Sequence, residues 1–385
     1  MDYFIDVSYN SINKYGEELC GDNVDIVNTD DGVIVVLADG LGSGVKANIL
    51  STLTSKIAAT MLKEGAEIDE TVDTIVSTLP VCSVRKIAYS TFTIIRIYFD
   101  GRVYLAEYDN PPVFLLRDEY INNIEKQKNL IGEKTVYESH FYMDNRDTLV
   151  VASDGVIHAG VGAVLNLGWQ WDNVADYLKR RANKEKCAKN VSTELISVCK
   201  NLYEDKPGDD TTVVAIKLRK KEVIDIFTGP PEKPQNDKLV VDRLMSSEGK
   251  KIVCGGTAAK IVARELGEEL YVNMEEINPD LPPTARIKGI DLVTEGVLTL
   301  NKTVKIIKDY WERGEDYRLG DDGAYKLSRI LIEDSTHVNL WVGKAINPAH
   351  TDPDFPVFLS NKLNVVNELQ RLLEDMGRAV KLTYI

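Results

Sequence analysis

The sequence predicts two folded domains of different class. An α+β layered β-sandwich with flanking helices is expected over residues 1–219, followed by a separate doubly wound α/β domain over residues 222–385. Three observations lead there. Strands, helices and strands again come in blocks up to Arg219, and such segregation is the mark of α+β architecture. The charged run Arg219-Lys-Lys-Glu222 breaks that pattern, and beyond it strand and helix alternate. Finally, 385 residues at 44% hydrophobic and 28% charged are enough for two ordinary cores.

In the first half, Tyr3 to Tyr9 alternates apolar and polar residues, and Val24–Val27 and Val33–Ala38 are β-branched runs, so all three read as strands. A helix follows Gly42 and Gly44, with Ile49, Leu53, Ile57 and Met61 expected as its buried face. A second helix is expected over Asp69–Val84, with Val72, Ile75, Val76 and Leu79 inward. Thr91–Tyr98, Arg102–Glu107 and Pro112–Arg117 form a strand meander, with turns at Asp100-Gly101 and Asn110-Pro111. Asp147–Ala152 is a strand, Trp171–Arg181 and Cys187–Tyr203 are helices, and Thr212–Leu218 is the last strand.

In the second half, strands are expected at Val223–Phe227, Lys251–Cys254, Leu270–Met274, Ile290–Val293, His337–Val342 and Val380–Tyr384. Helices are expected at Asn236–Ser247, Thr257–Leu266, Val297–Trp311 and Lys362–Met376. Pro348–Pro356 is a proline-rich loop. No internal repeat or low-complexity segment stands out.

The net charge of -14 argues against non-specific nucleic-acid binding and against docking on anionic membranes. The five cysteines (Cys20, Cys82, Cys187, Cys199 and Cys254) are odd in number, widely spaced and form no CxxC pair, which points to reduced thiols and away from a zinc knuckle. Met1–Asn10 has no basic region ahead of an apolar run, and no stretch reaches the ~20 apolar residues of a membrane span, so a cytoplasmic location is expected.

Four places put aspartate at the end of an apolar run: Cys20-Gly-Asp22-Asn, Ala38-Asp39-Gly40-Leu-Gly42, Ser153-Asp154-Gly155 and Gly208-Asp209-Asp210-Thr-Thr212. Any one of them is an ordinary turn signal. Together they form a set that strand ends can bring to one rim. Buried carboxylates at close range must protonate or bind a cation, and oxygen-only ligands favour Mg²⁺ or Mn²⁺. Such a site can hold two ions, activate water and polarise a phosphoryl group.

The ordered motifs GD, ADGLGSG, SDG and GDDTT resemble those of the metal-dependent, type 2C serine/threonine protein phosphatases, in particular their bacterial SpoIIE-like branch. Ser90-Thr-Phe-Thr93 and Asn110-Pro-Pro112 add to the resemblance, which covers residues 1–218. It implies hydrolysis of phosphoserine or phosphothreonine on a regulatory protein by metal-activated water, without a phosphoenzyme. It also implies that Asp39 bridges two Mn²⁺ or Mg²⁺ ions, that Asp154 and Asp210 hold the first, and that Asp22 and the Gly40 carbonyl serve the second. Asp209 is expected to support its neighbour. Departures are visible too. Leu41 stands where many relatives carry a histidine, so a water or another group must protonate the leaving group. No arginine marks a phosphate site near the N-terminus; Lys14 could substitute, although a solvated loop lysine explains it as well. His158 matches no motif and reads as structural, and Cys20, which adjoins the GD motif, reads as packing and not as a nucleophile.

The second half resembles no family. Small residues cluster after its strands at Thr228-Gly-Pro-Pro231, Gly255-Gly256-Thr257 and Thr294-Glu-Gly296. Gly255, Gly256 and Thr257 run straight into a helix whose free amides could hold a small anionic ligand, although ordinary turn chemistry explains them as well. A regulatory or ligand-sensing role is expected for this half. The alternative is a weakly active phosphatase-fold binding protein whose C-terminal domain senses that ligand. A metal-dependent nuclease is disfavoured by the acidic charge.

Overall fold

The computed structural model describes residues 3–78, 90–131, 134–273, 283–345 and 355–385, with the side chains of 76, 183 and 355–361 outside the description. Cys82, the end of the second expected helix, Met274 and most of the expected proline-rich loop fall outside it. The chain divides into two compact units, Met1–Lys220 and Lys221–Ile385.

The first unit contains β1 (Phe4–Ile12), β2 (Asp22–Asn28), β3 (Gly32–Gly40), α1 (Gly44–Lys63), α2 (Ile68–Thr78), β4 (Ser90–Tyr98), β5 (Arg102–Tyr108) and β6 (Phe114–Arg117). It continues with β7 (Tyr120–Asn122), β8 (Gln127–Ile131), β9 (Lys134–Tyr142), β10 (Thr148–Ala152), α3 (Asp154–Ile157), α4 (Trp171–Arg181), α5 (Ala188–Leu202) and β11 (Thr211–Arg219). Two sheets form, in the orders β1-β11-β10-β6-β7 and β2-β3-β4-β5-β9-β8.

Side-chain alternation builds four layers from these sheets. Val33, Val35 and Leu37 of β3 meet Leu149, Val151, Val214 and Ile216 between the sheets. Ile34, Val36 and Ala38 point the other way, onto Leu50, Ala58 and Leu62 of α1 and Val72 and Ile75 of α2. On the far side, Val150, Val213 and Ala215 pack on Val174, Leu178, Val191 and Leu195 of α4 and α5. Strands covered on both faces read as unbroken apolar runs, which is why Val33–Ala38 shows no alternation.

One expectation is overturned. Of the four α1 residues expected to be buried, Ile49 is 53% and Leu53 47% exposed, while Ile57 packs half-buried against the core and Met61 is half-buried. Ala47, Leu50, Ser51, Thr54, Ser55, Ala58, Ala59 and Leu62 are buried instead. Small residues let the helix lie close on the sheet, so residue size outweighed hydrophobicity in choosing the face. The sequence also missed β7, β8 and β9, where apolar and charged residues mix, and the single turn α3.

The second unit contains β12 (Val223–Thr228), α6 (Asp237–Ser246), β13 (Lys250–Cys254), α7 (Gly256–Leu266), β14 (Tyr271–Val272), β15 (Ala285–Arg286) and β16 (Leu292–Thr294). It ends with α8 (Val297–Arg313), α9 (Gly323–Glu333), β17 (His337–Val342), α10 (Phe355–Asp375) and β18 (Ala379–Tyr384). The sheet order is β14-β15-β16-β13-β12-β17-β18. β16, β13, β12, β17 and β18 run parallel, with short β14 and β15 antiparallel at one edge. Helix α9, missed in the sequence, is capped by Asp322, whose side chain accepts from the amides of Ala324 and Tyr325.

Candidate functional site

Two pairs of aspartates reach the same rim of the first unit, one pair from each sheet. Asp22 opens β2 and Asp39 lies near the end of β3, and antiparallel pairing sets them directly opposite each other. Like charges in such a position repel. Asp154 follows β10 and Asp210 precedes β11. These strands are antiparallel neighbours, so the end of one lies beside the start of the other. The Ser153 amide donates to the Thr212 carbonyl at 3.0 Å, and the Thr212 amide donates to Ser153 Oγ at 2.9 Å.

The electrostatics record how close the carboxylates are. Burial raises the Asp39 carboxyl to about 9, and the charges of Asp22, Asp154, Asp209 and Asp210 add to it. Burial raises Asp22 to about 7. Nearby Thr212 and Ser153 hydroxyls partly offset this, yet neither Asp22 oxygen has a hydrogen bond of normal geometry. Asp154 is raised by burial and by Asp209, with His158 pulling the other way. Asp210 Oδ1 accepts from the Lys14 amide at 3.0 Å, while its Oδ2 is buried without a partner. Three orphaned, oxygen-only acceptors on neighbouring carboxylates fit a hard divalent cation. Among the described residues, however, no three His, Cys, Asp or Glu side chains converge as they stand on a point where one ion could sit.

The glycines of the motifs have a packing reason. A Cβ on Gly21 would fall 2.7 Å from Asp210 Oδ2, one on Gly155 2.1 Å from the Asp210 carbonyl, and one on Gly40 2.1 Å from the Ala47 carbonyl. The backbone around the rim is therefore closed up to the limit that hydrogen allows. Gly40 also donates its amide to the Gly21 carbonyl at 3.1 Å, tying the two motifs together.

The other residues that the sequence singles out lie around these four. Asp209 holds the Asp210 amide at 3.1 Å and is half exposed. Lys14 Nζ lies 3.8 Å from Asp209 Oδ1 with 38% of its side chain exposed, which sets a cation at the rim. Leu41 is half-buried and His158 exposed. Cys20, Cys187, Cys199 and Cys254 form no disulfide among the described residues, and burial pushes the Cys20 thiol up to about 12, so it is a poor nucleophile. The Thr91 hydroxyl donates to Asn110 Oδ1 at 2.7 Å, and Asn110 Nδ2 donates to Thr93 Oγ1 at 3.1 Å, joining the two supporting motifs.

Sequence reasoning missed Tyr203, and it named Ser90 only as part of a supporting motif, without a role. Tyr203 Oη donates to the Gly155 carbonyl at 2.8 Å, and Ser90 Oγ donates to the Asp39 carbonyl at 3.0 Å. Each steadies a motif backbone from a distant part of the chain, and no local signal could have assigned either bond.

In the second unit, Gly255 (φ +118°) precedes α7. Its amide is already bonded to the Thr294 carbonyl at 2.9 Å. Gly256 and Thr257 form the first turn of α7. Among the described residues, no helix is long and apolar enough to cross a membrane.

Residues 29–219 match the family model of stage II sporulation protein E (SpoIIE). Comparison with curated proteins found no match. Among solved structures, similarity extends to the PP2C phosphatase domain with a fragment of the regulatory domain of SpoIIE from Bacillus subtilis. Identity is 20%, coverage 57% of this chain and 63% of that one, and TM-score 0.49. The chain thus spans less than two thirds of that structure. The RsbU and RsbW domains of Rv1364c from Mycobacterium tuberculosis match at 15% identity, over 70% of this chain and 72% of that one, with TM-score 0.49. RsbX in complex with magnesium matches at 18% identity, over 56% and 95%, with TM-score 0.40. The family match takes in every aspartate motif except the GD pair, and it is with the SpoIIE family that the first unit of this chain shares its sequence pattern.

Proposed function

We propose that the first unit is a metal-dependent serine/threonine protein phosphatase acting on a phosphorylated regulatory protein. The observation that carries this reading is the pair Asp22 and Asp39, in register on adjacent strands, with Asp39 raised by burial and by the charge of Asp22 and Asp22 raised by burial and by the charges of Asp210 and Asp154. A protein keeps such a repulsive pair where a cation is to be held. Asp39 would bridge two ions, Asp154 and Asp210 would hold one, and Asp22 with the Gly40 carbonyl would hold the other. The carboxylates must turn toward one another to do so. Bound Mn²⁺ or Mg²⁺ supplies an activated water and polarises the phosphoryl group.

The chain's own contribution is placement. Lys14, exposed at the rim, attracts the phosphate dianion. Asp209 anchors the Asp210 backbone, and Tyr203 anchors Gly155 beside Asp154. Leu41 offers no proton, so no side chain at that position acts as general acid. The second unit is proposed as a regulatory module that senses a small anionic ligand.

Manganese-dependent hydrolysis of para-nitrophenyl phosphate tests the reading. Wild type should hydrolyse it, and Asp39→Ala and Asp154→Asn should each lose at least about 100-fold. Unaltered hydrolysis in both variants would sink the metal–aspartate mechanism.

A further inference from the structure

Residues 155–171 contain no Asp, Glu, Lys or Arg, the longest uncharged stretch in a chain that is 28% charged. Surface loops are normally polar, yet much of this stretch is surface. Val161 is 45%, Val164 52% and Leu167 76% exposed. Single exposed apolar residues are common. Three in one short loop form a patch, and such patches mark interaction sites.

The loop is built, not slack. The Val161 amide donates to the His158 carbonyl, and the Ala163 and Leu165 amides to the Gly160 carbonyl, each at 3.0 Å. The Gln170 amide closes the loop on the Ile157 carbonyl at 2.9 Å. Gly168, at φ +78°, lies so close that a Cβ would fall 2.7 Å from His158 Cα. Leu165 turns inward and packs on the core that contains Val156 and Val174. The fold therefore takes the one large apolar side chain it needs to anchor the loop, and leaves Val161, Val164 and Leu167 outside.

This patch borders the aspartate rim. The loop leaves directly from α3, whose first residue is Asp154. On its other side it meets the turn that carries Asp209 and Asp210, since the Val161 carbonyl lies 3.9 Å from where a Cβ on Gly208 would stand. Across that turn the Tyr15 amide donates to the Pro207 carbonyl at 2.8 Å, and the Tyr15 ring is exposed too. An extended chain advances only about 3.3–3.6 Å per residue. A phosphoryl group delivered to the four aspartates thus brings the residues within two or three positions of it onto whatever borders the rim.

We propose that Val161, Val164 and Leu167 set substrate specificity by packing apolar side chains that flank the phosphorylated serine or threonine of the protein substrate. This rests on the reading of the first unit as a protein phosphatase and names the surface that selects its substrate.

Two synthetic phosphothreonine peptides test it, identical except two positions to either side of the phosphothreonine, where one carries Leu and the other Ser. Neither choice alters charge, so the acidity of the chain does not bias the comparison. With the full chain and Mn²⁺, kcat/KM should be at least about 10-fold higher on the Leu peptide, with the difference in KM. Leu167→Ser and Val161→Thr should each reduce that ratio at least threefold, and Leu167→Met should keep it. The ratio is taken within one protein, so any loss of folded material cancels. Equal kcat/KM on the two peptides in wild type, or an unchanged ratio in both Leu167→Ser and Val161→Thr, overturns the proposal. So does failure to hydrolyse either peptide when para-nitrophenyl phosphate is hydrolysed. A wild-type dimer that Leu167→Ser converts to monomer in sedimentation overturns it as well, by giving the loop to a second copy of the chain. Absence of hydrolysis of all three compounds by wild type refutes the phosphatase reading itself, and the proposal falls with it.

Discussion

Asp22 and Asp39 face each other across the β2–β3 ladder, two carboxylates in register on adjacent antiparallel strands. Their mutual repulsion in a desolvated rim is a cost to folding that a bound cation would turn into a gain. In chelator at pH 9, Asp39→Asn should therefore raise stability by about 1–3 kcal/mol, since it removes a carboxyl whose ionisation burial and the charge of Asp22 disfavour. Added Mn²⁺ should stabilise wild type and do little for the variant. Thermal unfolding with and without metal checks both arms.

The pH dependence has a definite sign. Asp22 and Asp39 have folded-state values of about 7 and about 9, above the ordinary value of about 4 for an unfolded aspartate. The folded protein binds these protons more tightly, so their contribution favours folding in acid and is lost as pH rises. The melting temperature of metal-free protein should fall progressively between pH 5 and pH 9, on the order of several degrees. Mn²⁺ should flatten the curve by replacing the protons. A metal-free melting temperature that rose across this window would refute the burial of the pair.

Gly155→Ala should destabilise the first unit by about 2–4 kcal/mol, because its Cβ would collide with the Asp210 carbonyl 2.1 Å away. The collision pushes Asp154 and Asp210 apart, so manganese affinity should drop as well. Denaturant unfolding and metal titration measure the two effects.

The two faces of α1 should respond in opposite ways to substitution. Leu50 is 6% exposed and packs on β3, so Leu50→Ala should cost about 2–4 kcal/mol. Leu53, at 47% exposed, lies outside that core, so Leu53→Ser should stay within about 0.5 kcal/mol. Equal effects at both positions would contradict the helix orientation.

Ending the chain after Lys220 tests the regulatory proposal. The truncated protein should retain manganese-dependent hydrolysis but differ from the full chain in rate or metal affinity. Identical behaviour under every ligand would remove the basis for a sensor.

Much of the first unit is legible in its sequence because the relevant signals are local. Runs such as Val33–Ala38 declare a strand covered on both faces, and each aspartate motif marks a strand end. The limits are equally physical. Periodicity in α1 points to Ile49 and Leu53 as buried, because a hydrophobic count cannot weigh the close approach that Ala47, Ala58 and Ala59 permit. The strands β8 and β9 mix charged and apolar residues and show no clean alternation. In the second unit, helix α9 does carry a readable start, Asp322-Gly323 ahead of Leu327 and Leu331, which the reading by apolar runs alone passes over.

The motif set, the likeness of the first unit to a known family and the change of character near Arg219 can be read without a fold, since they depend on residue identity and order along the chain. Which carboxylates face one another depends on how the chain folds. The register of β2 on β3 pairs Asp22 with Asp39, and the adjacency of β10 and β11 sets Asp154 beside Asp210. The fold also decides that the glycines beside them guard closeness of approach, and that Val161, 47 residues before Gly208, lies against it. Such relationships join positions far apart in the chain through strand order and packing, and no local pattern encodes them.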